Sequence, residues 1–171
     1  MQRILEQFTT NLTVLKQLLD VASAHITEHD LSEAHFLEAR LAQDMLPFTR
    51  QIQIAADTAK LSVARLADRL DDVPRNEDNE TTIAELQARL DQTISYIDTF
   101  KGSDAFEGFE GRHITLPFAK GLYMDGIDYL HQFAIPNFYF HVVTAYDILR
   151  QQGAPIGKRN FLGQINMKSI S

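Results

Sequence analysis

The sequence predicts an all-α protein: a four-helix bundle with a short hairpin or irregular insertion before the last helix. Three observations predict it. Apolar residues recur at three- and four-residue steps over four stretches, the pattern of helices buried on one face. Capping-box pairs stand ahead of two of those stretches. Glycine-rich, aperiodic sequence is confined to one segment, residues 101–136. Four amphipathic helices bury their apolar faces most economically against one another.

The first helix is carried by Leu5, Phe8, Leu12, Leu15, Leu19, Ala22 and Ile26 and should span about residues 3–27. Asp30 with Glu33 offers a capping-box start for a second. Its stripe runs through Leu37, Leu41, Phe48, Ile52, Ala55, Ala59, Val63, Leu66 and Leu70, so one helix is expected from about residue 30 to 70, kinked at Pro47. A polar connector, Asp71 to Glu80, follows. Fully extended it spans at most ~33 Å, about the length of a 20-residue helix, so it permits a crossover that leaves helices two and three parallel. Thr82 with Glu85 caps helix three, and Ile83, Leu86, Leu90, Ile94 and Ile97 carry it towards Phe100.

In the aperiodic segment, His113 to Leu116 and Leu122 to Met124 are expected to pair as a hairpin around Pro117–Gly121, with a helical turn at Tyr129–Phe133. The last helix is entered through Pro136-Asn137, covers about residues 138–151 and closes at Gly153. The tail has no periodicity, but Phe161 and Leu162 suggest that it docks on the bundle. One domain of 171 residues is the simplest reading.

Composition excludes several functions. The formal net charge is −7, and the densest basic spot is Lys158-Arg159, so a nucleic-acid partner is not expected. No run of 18 apolar residues offers a membrane span, and the N-terminus lacks a secretory signal, which leaves the cytoplasm as the default location. With no cysteine, thiolate chemistry and Cys-ligated metal sites are out of reach.

His141 is the best candidate for chemistry. Phe138, His141, Val142, Ala145, Ile148 and Leu149 share one helix face, which sets a single imidazole in an apolar stripe. A fixed, partly dry imidazole suits a general base or a metal ligand, but from sequence alone the favoured reading is a buried neutral His satisfied by a backbone carbonyl or an acid. Asp44 is the second anomaly, a carboxylate at the edge of the expected helix-two stripe. Were helices two and four adjacent, Asp44 would meet His141, either in a site or as a structural pair. His25-Ile26-Thr27-Glu28-His29 matches an H-x-x-E-H pattern, but at a helix end, where His29 and Glu28 should be solvated. His35, His113 and His131 have no partner at ligand spacing. Gly157-Lys158-Arg159 reads as a solvated dipeptide or an anion grip. The residues at i+3 and i+4 from His141 are Thr144 and Ala145, so the last helix supplies one zinc ligand at most.

Two blocks carry a resemblance. One is Arg40-Leu41-Ala42-Gln43-Asp44-Met45-Leu46-Pro47-Phe48 with Gln51 and Ile52 to Ala55. The other is Pro136-Asn137-Phe138-Tyr139-Phe140-His141, Ala145 to Arg150 and Gly157 to Gly163. Together they resemble the family catalogued as domain of unknown function nineteen-ninety-three, within the DinB/YfiT-like superfamily, and the similarity covers nearly the whole chain. The resemblance implies an up-down-down-up bundle with a crossover between helices two and three, often dimeric. It also implies a central site between helices two and four, where relatives hold a divalent metal through one His on helix two and an H-x-x-x-H pair on the last helix. Some relatives use small thiol cofactors. Here His141 fits the first His of that pair, Ala145 stands at the second, and Asp44 lies in the region of the helix-two His.

Two expectations follow. The first is a small-molecule pocket between helices two and four, with Asp44 and His141 at its polar centre and Gln51 and Tyr146 lining it. In one version it is a degenerate divalent-metal site, zinc or nickel, held by Asp44 and His141. The second is a non-catalytic homodimeric binding or scaffold protein with a buried structural Asp44–His141 pair. Neither names a reaction.

Overall fold

The computed structural model describes residues 1–170. Seven helices and one two-stranded sheet run in the order α1 (Gln2–Glu28), α2 (Glu33–Glu38), α3 (Phe48–Ala67), α4 (Ile83–Asp98), β1 (His113–Ile114), β2 (Met124–Asp125), α5 (Gly126–Asp128), α6 (Ile135–Gln151) and α7 (Lys158–Leu162). The long helices α1, α3, α4 and α6 form the bundle. Their stripes, among them Leu12, Leu19, Ile52, Leu66, Leu90, Phe138 and Ile148, make one buried core.

Side-chain pairs give the helix directions. Lys16 pairs with Asp91 and Gln87 with Asp20, so α1 and α4 are antiparallel. Gln53 bonds Glu80 while Asp57 bonds Arg89, further along both segments, so α3 and α4 run parallel. Gln51 meets His141 and Thr58 meets Asn137, so α3 and α6 are antiparallel. Phe8 packs on Phe138, and His25 lies beside Gly153, so α1 and α6 are parallel. The bundle is up-down-down-up, and the connector between α3 and α4 is a true crossover.

A buried ion cluster pins that crossover. The Arg89 side chain, 1% exposed, reaches Asp57 at 2.7 Å and both Asp78 and Glu80 at 2.8 Å. Gln53 donates to the second oxygen of Glu80, Arg50 pairs with Asp78, and Lys60 pairs with Asp57. Burial alone would raise the Asp78 and Glu80 carboxyls; the hydrogen bonds from Arg89, joined at Asp78 by Arg50, outweigh it and hold both below their ordinary values.

The expected helix two is two helices. Phe36 and Leu37 anchor α2, which Ser32 caps rather than Asp30; Asp30 itself adopts a left-handed conformation, φ 52°. Residues 39–47 are irregular, closed by Phe48 N–H donating to the Ala39 carbonyl at 2.8 Å. Pro47 is the N-cap of α3, not a kink: a residue without an N–H costs nothing at a helix start, where that donor has no partner. Leu41 and Leu70, expected on the buried stripe, are exposed. The Thr82–Glu85 capping box is present in both directions.

The hairpin forms, but shorter than expected, with His113 opposite Asp125 and Ile114 opposite Met124. From Gly126 the chain is helical without a break to Gln151, through a π-helical turn at Tyr129–Ala134. The helix thus starts well before residue 138. Pro136 explains the wide turn: it donates no bond and its ring would crowd the carbonyl of Gln132 in regular α geometry. Gly126 is required where the helix begins, because a Cβ there would strike the Phe109 carbonyl oxygen. The tail docks through buried Ala154 and Ile156 and through Phe161, edge-on to Tyr146. No helix among the described residues is long and apolar enough to cross a membrane.

Candidate functional site

The seam between α3 and the last helix carries three polar rungs in an otherwise apolar contact. At one end Gln51 Oε1 lies 2.7 Å from His141 Nδ1, both side chains buried. The Gln51 amide nitrogen donates to the Leu46 carbonyl, so its oxygen is the acceptor and the ring carries its proton on Nδ1. Burial pushes the His141 imidazole below its ordinary value, and the charge of Arg50 adds to this, so the ring is neutral near pH 7. In the middle Asn137 Nδ2 donates to Thr58 Oγ1 at 2.8 Å. At the far end the buried Tyr129 hydroxyl sits 3.1 Å from Ser62 Oγ and accepts from Arg65 Nη1 at 3.4 Å.

A cavity of about 190 Å³ opens between the second and third rungs, walled by Thr58, Arg65, Tyr129, Phe133 and Asn137 and roofed by Phe118. The Arg65 guanidinium lies 6.0 Å from the Tyr129 ring centroid, within cation–π range. Its Nε is shielded from solvent and has no hydrogen-bond partner among the described residues. Among the described residues no carboxylate pairs with Arg65. Asp57 also lines the cavity, but Lys60 and Arg89 neutralise it.

The four predicted site residues do not converge. Gln51 and His141 are brought together. Asp44 is exposed in the irregular loop, and Gln51 stands against His141 where the carboxylate was expected; splitting helix two took Asp44 off the stripe that would have aimed it inward. Tyr146 is five residues beyond His141, about 140° around the helix, and packs on Phe161. His25 is half-buried beside Phe36, while His29 and Glu28 are exposed, as are Lys158 and Arg159. Sequence reasoning missed Thr58, Arg65, Tyr129 and Asn137. Asn137, one turn before His141 on the same face, was the available signal.

Residues 2–162 match the family model described as domain of unknown function DUF1993. The chain belongs to that family. This DUF1993 chain is also similar to a DinB family member protein from Shewanella denitrificans, known from its crystal structure. The two are 37% identical with a TM-score of 0.92, over 97% of this chain and 93% of that one. No curated protein matches this DUF1993 chain. The residues present do not fit the three-His metal centre that the DinB/YfiT resemblance implies. His141 faces an amide on α3, Ala145 fills the i+4 position and is fully buried, and Asp44 is distant in role and exposed. Among the described residues no three His, Cys, Asp or Glu side chains gather at a metal-binding separation.

Proposed function

We propose that this protein binds a small organic molecule in the seam between α3 and the last helix, and does so without a metal. The observation that carries the reading is the cavity of about 190 Å³ whose polar walls the fold already holds in place, Asn137 by Thr58 and Tyr129 by Ser62. Preorganised polar groups in a partly apolar cleft are what small-molecule sites have in common. The Gln51–His141 pair then acts as a clasp closing the seam at one end, the structural role first considered for an Asp44–His141 pair.

A homodimer belongs to the same proposal. Phe140 and Val143, 56% and 41% exposed, are one turn apart on the outer face of α6 and would be its contact. Phe140→Asp should then shift the sedimentation coefficient from dimer to monomer; a monomeric wild type removes this part. A cytoplasmic setting fits a chain that makes no disulfide.

The test is binding of a fragment library followed by NMR, with and without EDTA. Shifts at Thr58, Tyr129 and Asn137 that EDTA leaves unchanged are expected. Stoichiometric zinc or nickel in chelator-free protein, with binding lost when the metal is removed, would overturn the proposal.

A further inference from the structure

The seam cavity does not stand alone. A second cavity, about 320 Å³ and lined mainly by apolar side chains, lies over the hairpin between Ile114, Leu122, Met124 and the π-helical turn. Leu116, Phe118 and Phe133 wall both cavities, and the Phe118 and Phe133 rings, 5.7 Å apart, stand at their boundary. Phe118 is 72% exposed, so nothing packed over it opposes its turning aside. At the polar end of these adjoining cavities Arg65, which has no carboxylate partner among the described residues, is set against the ring of the fixed Tyr129. The other end offers hydrocarbon.

The geometry points to a carboxylic acid with an apolar body as the ligand: its carboxylate on the Arg65 guanidinium and the Asn137–Thr58 pair, its hydrocarbon past Phe118 into the hairpin cavity. This rests on the seam being a small-molecule site and specifies what that site takes. Arg suits the task because its planar fork accepts a carboxylate on two parallel N–H donors. The apolar body supplies affinity by leaving water, at ~25 cal/mol for each Å² buried. Charge without hydrocarbon, or hydrocarbon without charge, engages only half of the site. Asp57, the one acid in the wall, is already committed to Arg89 and Lys60 and so does not repel the ligand as a free carboxylate would.

Octanoate, octanol and acetate separate these contributions. Titrated into the full chain and followed by calorimetry and NMR, octanoate should bind at least about tenfold more tightly than either of the others, a difference of about 1.4 kcal/mol. Arg65→Gln should abolish its advantage over octanol. Should Arg65→Gln fail to fold, Phe118→Asp replaces it: the site is exposed, so the fold survives, and a carboxylate at the boundary should weaken octanoate more than octanol. Octanol binding as tightly as octanoate with Thr58 and Asn137 shifted overturns the acid but leaves the seam reading standing. An octanoate advantage that survives Arg65→Gln overturns the acid site at Arg65. Shifts confined to other surfaces, with Thr58 and Asn137 unmoved, overturn both readings.

Discussion

His141 and Gln51 hold each other across the bundle: the ring Nδ1 and the amide oxygen are 2.7 Å apart, and the amide nitrogen is spent on the Leu46 carbonyl. One contact therefore ties α6 to α3 and to the loop that enters α3. Removing either partner strands buried polar groups. His141→Ala is expected to lower the unfolding free energy by about 1–3 kcal/mol in urea titrations. Ligand binding in the seam cavity should persist in the folded fraction. A variant as stable as the wild type would show the clasp to be dispensable.

The same burial sets a pH dependence. His141 titrates lower in the folded chain than in the unfolded one, so its contribution is complete above the unfolded value of about 6.5. As pH falls from there to the folded value, only the unfolded chain gains a proton, and stability drops. Asp78 and Glu80 give a second, lower limb: their pKa values are depressed in the fold, so their contribution is present above about 4 and is lost as pH falls further. Unfolding midpoints measured at pH 7, 5.5 and 3.5 should show both limbs, and His141→Gln should flatten the first alone.

Arg89 is the single cation on which the crossover depends most, since it alone touches all three acids. Arg89→Ala leaves Glu80 without a cation among the described residues, while Asp57 keeps Lys60 and Asp78 keeps Arg50, and is expected to cost about 3 kcal/mol. Hydrogen exchange should report the loss first in residues 71–82, ahead of the helices. Equal acceleration everywhere would mean that the cluster does not hold the crossover locally.

Building back the implied metal centre tests the reading of its loss. Gln51→His with Ala145→His would surround the position with three imidazoles. Because Ala145 is fully buried, the added ring is expected to cost about 1–3 kcal/mol through overpacking. In exchange the double variant should retain zinc through gel filtration, where the wild type retains none by elemental analysis. Zinc in the wild type would show that the Gln51–His141 pair opens to admit it.

The helices were legible because their apolar period is long and regular, and His141 was legible because an imidazole interrupts such a stripe. The break at residues 39–47 was not. Leu37, Leu41 and Phe48 keep helical spacing through it, while Leu41 turns to solvent and Pro47 starts a helix rather than bending one. Asp44 was misplaced for that reason alone. The Arg89 cluster was illegible for a different reason. Its acids lie in a connector whose path depends on the direction of α4, and nothing local in Asp78 or Glu80 encodes that direction. A trace was there: Arg89 sits one turn from Leu86 on the buried face of α4. The seam cavity needed three dimensions, since Arg65, Phe118 and Tyr129 come together only when the hairpin folds onto α3.

The parallel crossover also sets how far apart in sequence the partners of α1 lie. The antiparallel partner of α1 is α4 and its parallel neighbour is α6, both beyond α3 in the sequence. The pairing that fixes α1 to the last helix, Gln7 and Asn11 on Tyr139, spans most of the sequence. Among the long helices only α3 and α4 pair as neighbours in sequence; the covers of α1 come from far along the chain, and long-range pairing of this kind is expected to slow folding relative to a simple up-down bundle of equal length. The apolar face of α1 therefore gains its cover only when segments far along the sequence fold back onto it.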